Sequence, residues 1–377
     1  MTKNPDGPRV VLFSGGTACR NINIALARMG VRITRIVPAW DSGGSSRELR
    51  EAFDMPPVGD IRQALMTMAH GEGRAGEVVK ICNARLSDTP GRQDAEAEFA
   101  YYLGGAHPRL RRMAPGLREA ILSFLHLFHE RLPADFDFRN GSIGNFVLTG
   151  AYFAHGRDIN AAIGAFRALE NIEGHVWPVS AAADVQLSAV LRDGSRLQRQ
   201  HLITKMNEAQ SAAGIESLSL TSAGGQPVLN EKAVGAIEEA DAIVFGPGSF
   251  YTSILPHLLV RGVAEAVAAN RRAPRLFVGN ILECAETSGM DLAGMTRRFC
   301  AGAGPLLTHV LGNAELFPFQ KTVGRFPYLR TGAIEAACRE LRLGYLARDV
   351  EDAWIRGHHD GRAVASLIVA LAEGRGG

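Results

Sequence analysis

The chain has 377 residues, and its 41 lysines and arginines almost balance its 39 aspartates and glutamates, leaving a formal net charge of +2. That balance argues against a general nucleic-acid-binding protein, which normally carries a basic excess, and against an acidic disordered polypeptide. With 46% hydrophobic and 21% charged residues, the composition is typical of a globular protein that can bury a large core.

The first predicted elements are those of a parallel α/β sheet. A strand at Arg9–Phe13 runs into a glycine-rich turn at 14–17, and apolar residues at helical spacing follow the turn. The next strand, Val31–Val37, ends in a second loop of small residues at 40–46. Strand, glycine loop, helix and strand in this order indicate the start of a doubly wound fold.

A long helical stretch then interrupts the sheet. Helical periodicity extends from about Ile61 to Arg131, is clearest at Leu117–Arg131, and predicts a helical insertion at about 84–140. Ser142–Ala154 is a further apolar helix, entered through a glycine-containing turn. We expect these helices to pack against the sheet.

The following segment predicts antiparallel strands. Residues Val185–Ile203 alternate between apolar and polar side chains around a turn at 192–195, which indicates a β-hairpin insertion at about 185–203. Alternation of the strand type resumes at Ile215–Leu220.

Alternation of helices and strands returns after Asn230. The predicted helices are Glu231–Ala240, Thr252–Ala269, Asp291–Cys300 and Gly361–Glu373, and the predicted strands are Asp241–Phe245, Arg275–Val278 and Leu306–Leu311. Without internal repeats or an obvious linker, the pattern favours one composite domain over 1–377. Its fold class is α/β, a Rossmann-like, mostly parallel sheet with helices on both faces.

Cysteine usage and hydropathy predict the compartment. The cysteines are odd in number, widely spaced and without a CxxC pair, which argues against a zinc ribbon or a disulfide framework and favours reduced, buried thiols (Cys19, Cys82, Cys284, Cys300 and Cys338). Neither a signal-peptide core nor an apolar run of membrane-spanning length is present. We expect a cytoplasmic protein with neither a membrane nor a nucleic-acid partner.

Three glycine-rich loops, at 14–17, 42–46 and 246–249, each follow a predicted strand. Ligands of open α/β sheets lie at the carboxyl ends of the strands, where glycine lets the backbone approach a phosphate. The candidate ligand-binding residues here are Gly15, Gly16, Thr17, Gly43, Gly44, Ser45, Ser46, Gly246, Gly248, Ser249, Thr252 and Ser253. Any one of these loops is also explained as an ordinary tight turn. A Walker A lysine and a full GxGxxG are missing, which argues against a P-loop NTPase and a standard NAD site.

Two carboxylates accompany these loops. Asp41 ends the second predicted strand, and Asp60 lies within PPVGDIR at 56–62. Magnesium prefers one or two carboxylates together with phosphate oxygens, so Asp41, with or without Asp60, is a candidate Mg²⁺ ligand. Capping of the following helix equally explains Asp60. Arg62 fits either a phosphate or an acidic neighbour.

Further polar residues stand at the ends of apolar elements. Asn145 and Asn280 could each donate to a ligand or satisfy a buried backbone group. The histidines show no HExxH or HxH arrangement, and we place the pair His358 and His359 on the surface. We find neither a zinc site nor a Ser-His-Asp triad.

Several stretches, in this order, resemble the CofD/YvcK family, which includes 2-phospho-L-lactate transferase and the gluconeogenesis-factor proteins. They are FSGGT at 13–17, DSGGSSRELR at 41–50, PPVGDIR at 56–62, GSIGN at 141–145, ADAIVFGPGSFYTSI at 240–254 and VGN at 278–280. The predicted hairpin also occupies the corresponding place. The resemblance runs from about Val10 to about Arg298 and leaves a C-terminal extension at about 305–377 unmatched.

The resemblance implies a nucleoside-diphosphate-linked small molecule as ligand. Family transferases move 2-phospholactate from a guanosine diphosphate-linked donor to a deazaflavin alcohol, whereas YvcK-type proteins bind nucleotide sugars. It further implies Mg²⁺ at Asp41, catalytic roles for Asp41 and Asp60, and a homodimer, since family members often form dimers.

The sequence departs from the family at two loops. YvcK-type proteins carry two consecutive aspartates before GGSS, but here the pair is Asp41 and Ser42, and the first loop ends in GGTA rather than GGTG. The other motifs are closer to the YvcK branch. We interpret the chain as a divergent branch, such as the CofD-like member of the gene cluster called the GAK system.

Two functional hypotheses follow. The first is an enzyme that transfers a phosphorylated group from a nucleoside-diphosphate-activated donor to an alcohol. The second is a non-catalytic nucleotide-sugar-binding regulator, which the single aspartate of the second loop favours. An NAD(P)-dependent oxidoreductase is disfavoured because the dinucleotide fingerprint is missing.

Overall fold

The structure is a computed structural model that describes residues 7–69, 76–88, 91–169, 172–304, 306–314 and 319–374. Its strands are β1 (Arg9–Phe13), β2 (Arg32–Val37), β3 (His175–Pro178), β4 (Gln186–Leu191), β5 (Arg196–Gln198), β6 (Ile215–Thr221), β7 (Ala242–Phe245), β8 (Arg275–Val278), β9 (His309–Asn313), β10 (Thr322–Val323), β11 (Phe326–Pro327) and β12 (Gly344–Arg348). Its α-helices are α1 (Arg20–Arg28), α2 (Gly44–Phe53), α3 (Gly59–Met68), α4 (Glu77–Cys82), α5 (Arg92–Leu103), α6 (Pro108–Arg111), α7 (Pro115–His129), α8 (Ile143–Ala154), α9 (Ile159–Ala168), α10 (Gln200–Thr204), α11 (Glu208–Ala213), α12 (Glu231–Glu238), α13 (Val263–Ala269), α14 (Leu292–Ala303), α15 (Ile334–Leu341) and α16 (Gly361–Ala372).

The main sheet has seven strands in the order β12-β9-β8-β7-β1-β2-β3, and all neighbouring strands are parallel. The predicted Rossmann-like α/β class is therefore confirmed. From β1 the chain proceeds outward through β2 and β3, and from β7 it proceeds outward in the opposite direction. The strand order thus reverses between β1 and β7, and a ligand crevice is expected at the carboxyl ends of these two strands.

Two apolar cores cover the two faces of the sheet, as parallel strands require. Along β1, Val10 and Leu12 belong to one core, together with α1, α3, α8 and α16. Val11 and Phe13 point to the other core, together with α12 to α15. The alternation follows from the two-residue period of a strand.

The helical insertion packs on the first face. Its longest helix, α7, lies directly against α8, and a Cβ on Gly150 would overlap the backbone of Phe124. Only glycine permits this close approach of the two helix backbones. None of the helices among the described residues is long and apolar enough to cross a membrane.

The predicted hairpin is confirmed in β4 and β5, but its second strand is shorter than expected. That strand ends at Gln198, and α10 replaces the predicted strand up to Ile203. In this helix the backbone N–H of His201 donates to the hydroxyl of Ser42, which ties the segment to the second glycine loop. The later strand β6 pairs with β4 and completes a three-stranded antiparallel sheet.

The predicted helix Thr252–Ala269 is wrong. A π-helical turn at Phe250–Ile254 and a 3₁₀ turn at Leu255–Leu259 precede the short helix α13. Pro256 has no N–H for a helical hydrogen bond, and Gly262 has a left-handed φ of 97°. Both residues prevent a continuous helix.

The C-terminal segment joins the main sheet. Strand β12 pairs with β9 at the sheet edge, and α16 packs on α1. A Cβ on Gly361 would overlap the backbone of Asn21, so the two helices meet closely at this point. Its described residues therefore supply the sheet strands β9 and β12 and the covering helices α15 and α16.

Candidate functional site

The first and third glycine loops meet at the point where the strand order reverses. The N–H of Gly246 donates a 2.8 Å hydrogen bond to the carbonyl oxygen of Phe13, and a Cβ on Gly15 would lie 3.1 Å from Oγ of Ser253. The buried Cys19 thiol lies 3.8 Å from the carbonyl oxygens of Gly246 and Pro247. Parallel pairing of β1 with β7 thus brings the first and third loops together where a ligand crevice is expected.

The two candidate catalytic carboxylates converge beside the first loop. Oδ1 of Asp60 accepts a 2.9 Å hydrogen bond from the N–H of Gly16. A Cβ on Gly59 would overlap both Oδ2 of Asp41 and Oγ of Ser46. Residues far apart in the sequence therefore form one cluster at the ends of β1 and β2.

The two carboxylates of this cluster share a poorly hydrated environment. Burial and the charge of Asp41 raise the pKa of Asp60 to about 7, against the opposing effects of the Gly16 hydrogen bond and the charge of Arg35. Asp41 accepts from the N–H of Gly43 through Oδ1, at 3.0 Å. Oδ2 of Asp41 and Oδ2 of Asp60 accept no hydrogen bond from the described residues.

A divalent cation suits this arrangement. Two carboxylate oxygens without a donor among the described residues, together with a raised carboxylate pKa, are the properties expected of a site that a cation neutralises. Among the described residues, no group of three or more His, Cys, Asp and Glu side chains could hold a metal. Any cation at Asp41 and Asp60 would thus need water or ligand oxygens as further ligands.

Arg62 lies at the centre of a buried polar network. Its Nε donates to Oδ1 of Asn145 at 3.2 Å, and its Nη1 donates to Asn83 at 2.9 Å and to Gln63 at 2.6 Å. The amide of Asn145 in turn donates to the hydroxyl of Ser45 at 2.8 Å. Burial lowers the pKa of Arg62 to about 10. In the described part of the chain Arg62 has polar but no acidic partners, so the ion-pair alternative has no support.

Asn280 supports the third loop. Its Oδ1 accepts from the N–H of Gly248 at 3.3 Å, and its Nδ2 donates to the carbonyl oxygen of the same glycine at 3.0 Å. The side chain therefore holds both polar backbone groups of Gly248. This matches the backbone-satisfying alternative for Asn280.

Thr252 faces the interior. Its hydroxyl donates to Oε1 of Glu286 at 2.6 Å, and its carbonyl oxygen accepts from the indole of Trp40 at 2.7 Å. Oε2 of Glu286 accepts from the N–H of Tyr251, and burial raises the pKa of Glu286 to about 7. Sequence analysis missed Glu286, because nothing local to it indicates that it lies beneath the third loop.

The second loop is anchored by contacts to segments that flank the strands of the small antiparallel sheet. The Ser42 hydroxyl lies 3.0 Å from Nδ1 of His201, in addition to the backbone hydrogen bond from that residue. Arg50 donates to the carbonyl oxygens of Asp41 at 3.0 Å and Val185 at 2.7 Å. A cavity of about 190 Å³, lined in part by Arg47 and Arg199, adjoins this loop. A larger cavity, of about 600 Å³, lies at the amino ends of β1 to β3, away from the candidate residues.

Sequence analysis also missed Arg35. This residue of β2 is completely buried, and its Nη1 donates to Gly16 O at 3.1 Å and to Thr67 Oγ1 at 2.8 Å. Its Nη2 donates to Ser14 Oγ at 2.8 Å and to the carbonyl oxygen of Gly15. The available signal was an arginine on the same face of the strand as the apolar residues Ile33 and Val37.

Two further residues differ in exposure from their neighbours. Thr17 is exposed at the rim of the first loop. His359, predicted on the surface with His358, is instead half-buried, and its Nε2 lies 3.0 Å from the carbonyl oxygen of Gly279. Burial lowers the pKa of His359 to about 4. The surface prediction is correct for His358 only.

Comparison with known proteins identifies the family. The family model described as 2-phospho-L-lactate transferase CofD matches residues 10–324. The chain belongs to the CofD family. The matched range covers the three glycine loops, both carboxylates and the small antiparallel sheet, and it extends past Arg298, where the motif resemblance ended.

Curated relatives of this CofD-family chain carry another name. The gluconeogenesis factor of Listeria monocytogenes is 29% identical over 375 residues, covering 98% of this chain and 97% of that protein. The gluconeogenesis factor of Bacillus subtilis is 29% identical over 275 residues, covering 73% and 68%. A Nostoc sp. protein that carries the same name provisionally is 31% identical over 299 residues, covering 79% of this chain. The chain spans about half, 53%, of the Nostoc protein.

A crystal structure shows the same fold. A protein member of the UPF0052 family from Bacillus halodurans matches with a TM-score of 0.75 at 23% sequence identity. The match covers 97% of this chain and the whole of that chain. The C-terminal segment of the CofD-family chain is therefore largely included in the shared fold.

Proposed function

We propose that the crevice binds a nucleoside-diphosphate-linked small molecule, and that the chain transfers a phosphorylated group from this donor to an alcohol acceptor with Mg²⁺. The observation that carries the proposal is the convergence of Asp41 and Asp60 beside the glycine loops where the strand order reverses. Membership of the CofD family supports the same reaction class.

Backbone donors suit the diphosphate. In the described part of the chain, the N–H groups of Gly15 and Thr17 have no acceptor, and both lie in the loop between β1 and α1. Arg62 adds a guanidinium without an acidic partner. Free amides at a strand-to-helix turn, together with a guanidinium, are the usual donors to phosphate oxygens.

Asp41 and Asp60 would hold the metal through their Oδ2 atoms, which accept no hydrogen bond from the described residues. When bound, Mg²⁺ neutralises charge on the diphosphate and on the leaving group. The residues of the chain hold the donor, orient the acceptor and limit water at the reacting phosphorus. Positioning and electrostatics of this kind supply most of the catalysis in phosphoryl-type transfers.

The acceptor hydroxyl oxygen forms a bond to the phosphorus that carries the transferred group, and the bond from that phosphorus to the bridging oxygen of the diphosphate breaks. The nucleoside monophosphate leaves with the electron pair of the broken bond. The proton of the acceptor hydroxyl passes to solvent water, because Oδ1 of Asp60 already accepts from the N–H of Gly16 and Oδ2 would be a metal ligand.

A second function is favoured by the names of the relatives. The curated relatives described above are gluconeogenesis factors, and Ser42 stands where the YvcK-type pattern has a second aspartate. The same crevice would then hold a nucleotide sugar without chemistry, and the chain would act as a regulatory protein. Binding would order the second loop, which the contact between Ser42 and His201 connects to α10.

Calorimetric titration with GDP, UDP, UDP-sugars and NAD(P), each with and without Mg²⁺, tests both functions. The transferase predicts Mg²⁺-dependent binding of a guanosine diphosphate compound. It further predicts that Asp41→Asn abolishes nucleoside monophosphate release in the presence of donor and alcohol acceptor. Tight, metal-independent binding of a UDP-sugar with no product would support the regulator instead. If none of the nucleotides binds, both proposals are wrong.

A further inference from the structure

A buried positive charge, that of Arg35, lies beneath the first glycine loop. Arg35 occupies the middle of β2, on the same face as Ile33 and Val37, which belong to the apolar core. The side chain is fully buried, and all of its hydrogen bonds run to neutral acceptors. Within the described residues it forms no ion pair, and its Nε atom has no partner at all.

Burial of a charged arginine costs folding free energy, so a role limited to filling space does not explain it. Removing a cation from water is compensated in proteins by a paired carboxylate or a bound anion. Among the described residues no carboxylate forms an ion pair with Arg35, and its hydrogen-bond acceptors are all neutral oxygens. The charge of Arg35 is thus incompletely compensated by the protein.

The hydrogen bonds of Arg35 also determine the orientation of the loop. The guanidinium holds the carbonyl oxygens of Gly15 and Gly16 on the interior side. The amide of Gly15 on the other side has no acceptor in the described part of the chain. One side chain thereby fixes the loop and places a positive charge directly behind it.

We propose that Arg35 is a positioning residue and the fixed counter-charge for the diphosphate bound at the first loop. This inference rests on the proposed function. In this proposal Arg35 acts from the strand beneath the loop and does not itself touch the ligand. The buried charge of Arg35 favours a polyanionic ligand such as a diphosphate, because a neutral or cationic ligand would leave that charge uncompensated.

Two substitutions separate charge from hydrogen bonding. Arg35→Lys keeps a positive charge with fewer donors, and Arg35→Gln keeps a donor without the charge. Arg275→Gln is the matched control, because Arg275 begins β8 at the opposite end of the sheet and also has a buried Nε without a partner. Thermal unfolding and circular dichroism establish that each variant is folded.

The measurement is calorimetric titration with inorganic pyrophosphate and with the nucleoside diphosphate that the wild-type protein binds best, at several salt concentrations. Loss of a charge-assisted contribution predicts roughly a tenfold or larger loss of affinity in Arg35→Gln. The dependence of affinity on salt should also become weaker in that variant. Arg35→Lys should keep the salt dependence and most of the affinity, and Arg275→Gln should match the wild type.

Equal affinity of wild type and Arg35→Gln would overturn the inference and leave the proposed function intact. So would weaker binding by Arg35→Lys than by Arg35→Gln, since hydrogen bonding alone would then explain the residue. If the wild-type protein binds neither pyrophosphate nor any nucleotide, the proposed function fails and the inference fails with it. If Arg35→Gln does not fold, the salt dependence of Arg35→Lys decides, and a slope below that of the wild type would contradict the proposal.

Discussion

The N–H of Gly16, in the loop after β1, donates a 2.9 Å hydrogen bond to Oδ1 of Asp60, at the first turn of α3. This bond connects a glycine loop to a carboxylate 44 residues later in the chain. A Cβ on Gly16 would lie 2.8 Å from the same oxygen, so the contact requires glycine at this position. The hydrogen bond leaves Oδ2 of Asp60 available to a cation or a proton.

We expect Asp60→Asn to weaken ligand binding while it increases the stability of the fold at alkaline pH. The folded protein raises the pKa of this carboxyl from 3.8 to about 7, so the wild type loses stability as pH rises from about 4 to about 7. Asparagine retains an acceptor for Gly16 but carries no charge. We expect the variant to match the wild type at pH 4 and to be more stable at pH 8 by roughly 1–3 kcal/mol. Urea unfolding at the two pH values measures this difference.

The same variant should lose Mg²⁺-dependent nucleotide binding, which titration at pH 8 would show. A destabilised Asp60→Asn protein at pH 8 would mean that the carboxylate is stabilised by the fold. It would contradict the crowded-carboxylate description of the site.

Gly59→Ala should damage the site without unfolding the protein. The added methyl group would overlap Oδ2 of Asp41 and Oγ of Ser46, and both side chains would have to move. We expect at least a tenfold loss of metal-dependent nucleotide affinity, because a displacement of this size separates ligands that must lie together. Calorimetric titration checks the affinity.

Gly164→Ala is the control for Gly59→Ala. Gly164 lies in α9, and a Cβ there would meet no atom within 4 Å. Alanine should increase stability by about 0.5–1 kcal/mol and leave the nucleotide affinity unchanged. Unchanged affinity in Gly59→Ala would show that Asp41 and Ser46 do not have to keep their positions.

Glu286→Gln should increase stability at alkaline pH. Burial raises the pKa of Glu286 from 4.5 to about 7, so its contribution to stability is complete below about pH 4.5 and is lost as pH rises to about 7. Glutamine retains an acceptor for Thr252 or Tyr251 and removes the charge. We expect equal unfolding free energies at pH 4.5 and a gain of roughly 1–3 kcal/mol at pH 8.

Glu96→Gln provides the comparison for Glu286→Gln, because Glu96 is an exposed residue of α5. Its stability should follow the wild type at every pH. A Glu286→Gln protein that is less stable than the wild type at pH 8 would show that the ionised carboxylate is needed by the third loop.

Gly361→Ala tests how firmly the C-terminal helix is attached. The new Cβ would overlap the backbone of Asn21, so α16 would have to move away from α1. Overpacking of this kind predicts a loss of roughly 1–3 kcal/mol. Gly302→Ala in α14, where the Cβ would meet open space, should cause no loss of stability.

Calorimetry also tests the single-domain prediction, because one cooperative domain should show one unfolding transition in each protein.

Much of the parallel sheet could be predicted from local patterns. Short apolar runs at Arg9–Phe13 and Arg275–Val278 are strands as predicted, because buried parallel strands require continuous apolar residues. The predicted helix Thr252–Ala269 was wrong, because apolar periodicity outweighed the visible breakers Pro256 and Gly262. In a short segment, proline and glycine interrupt a helix even where apolar residues keep helical spacing.

The members of the site were visible in the sequence, but their partners were not. Glycine loops after strands predicted a crevice, and Asp41 and Asp60 were both candidates. That Thr252 bonds to Glu286, and that Asn280 holds the backbone of Gly248, depended on contacts between residues about 30 positions apart. Turn chemistry is local, whereas the partner of a buried polar group is chosen by the whole fold.

The sequence by itself determined the α/β class, the family and the loops that follow the strands, because hydrophobic period and turn residues act over a few positions. Only the tertiary structure decided that Asp41 and Asp60 meet, that β6 completes the small sheet, and that Arg35 is buried beneath the first loop. The physical reason is that strand order and helix crossovers bring distant residues together. The pKa of a carboxylate and the cost of a buried charge depend on those neighbours, which the order of residues along the chain does not specify.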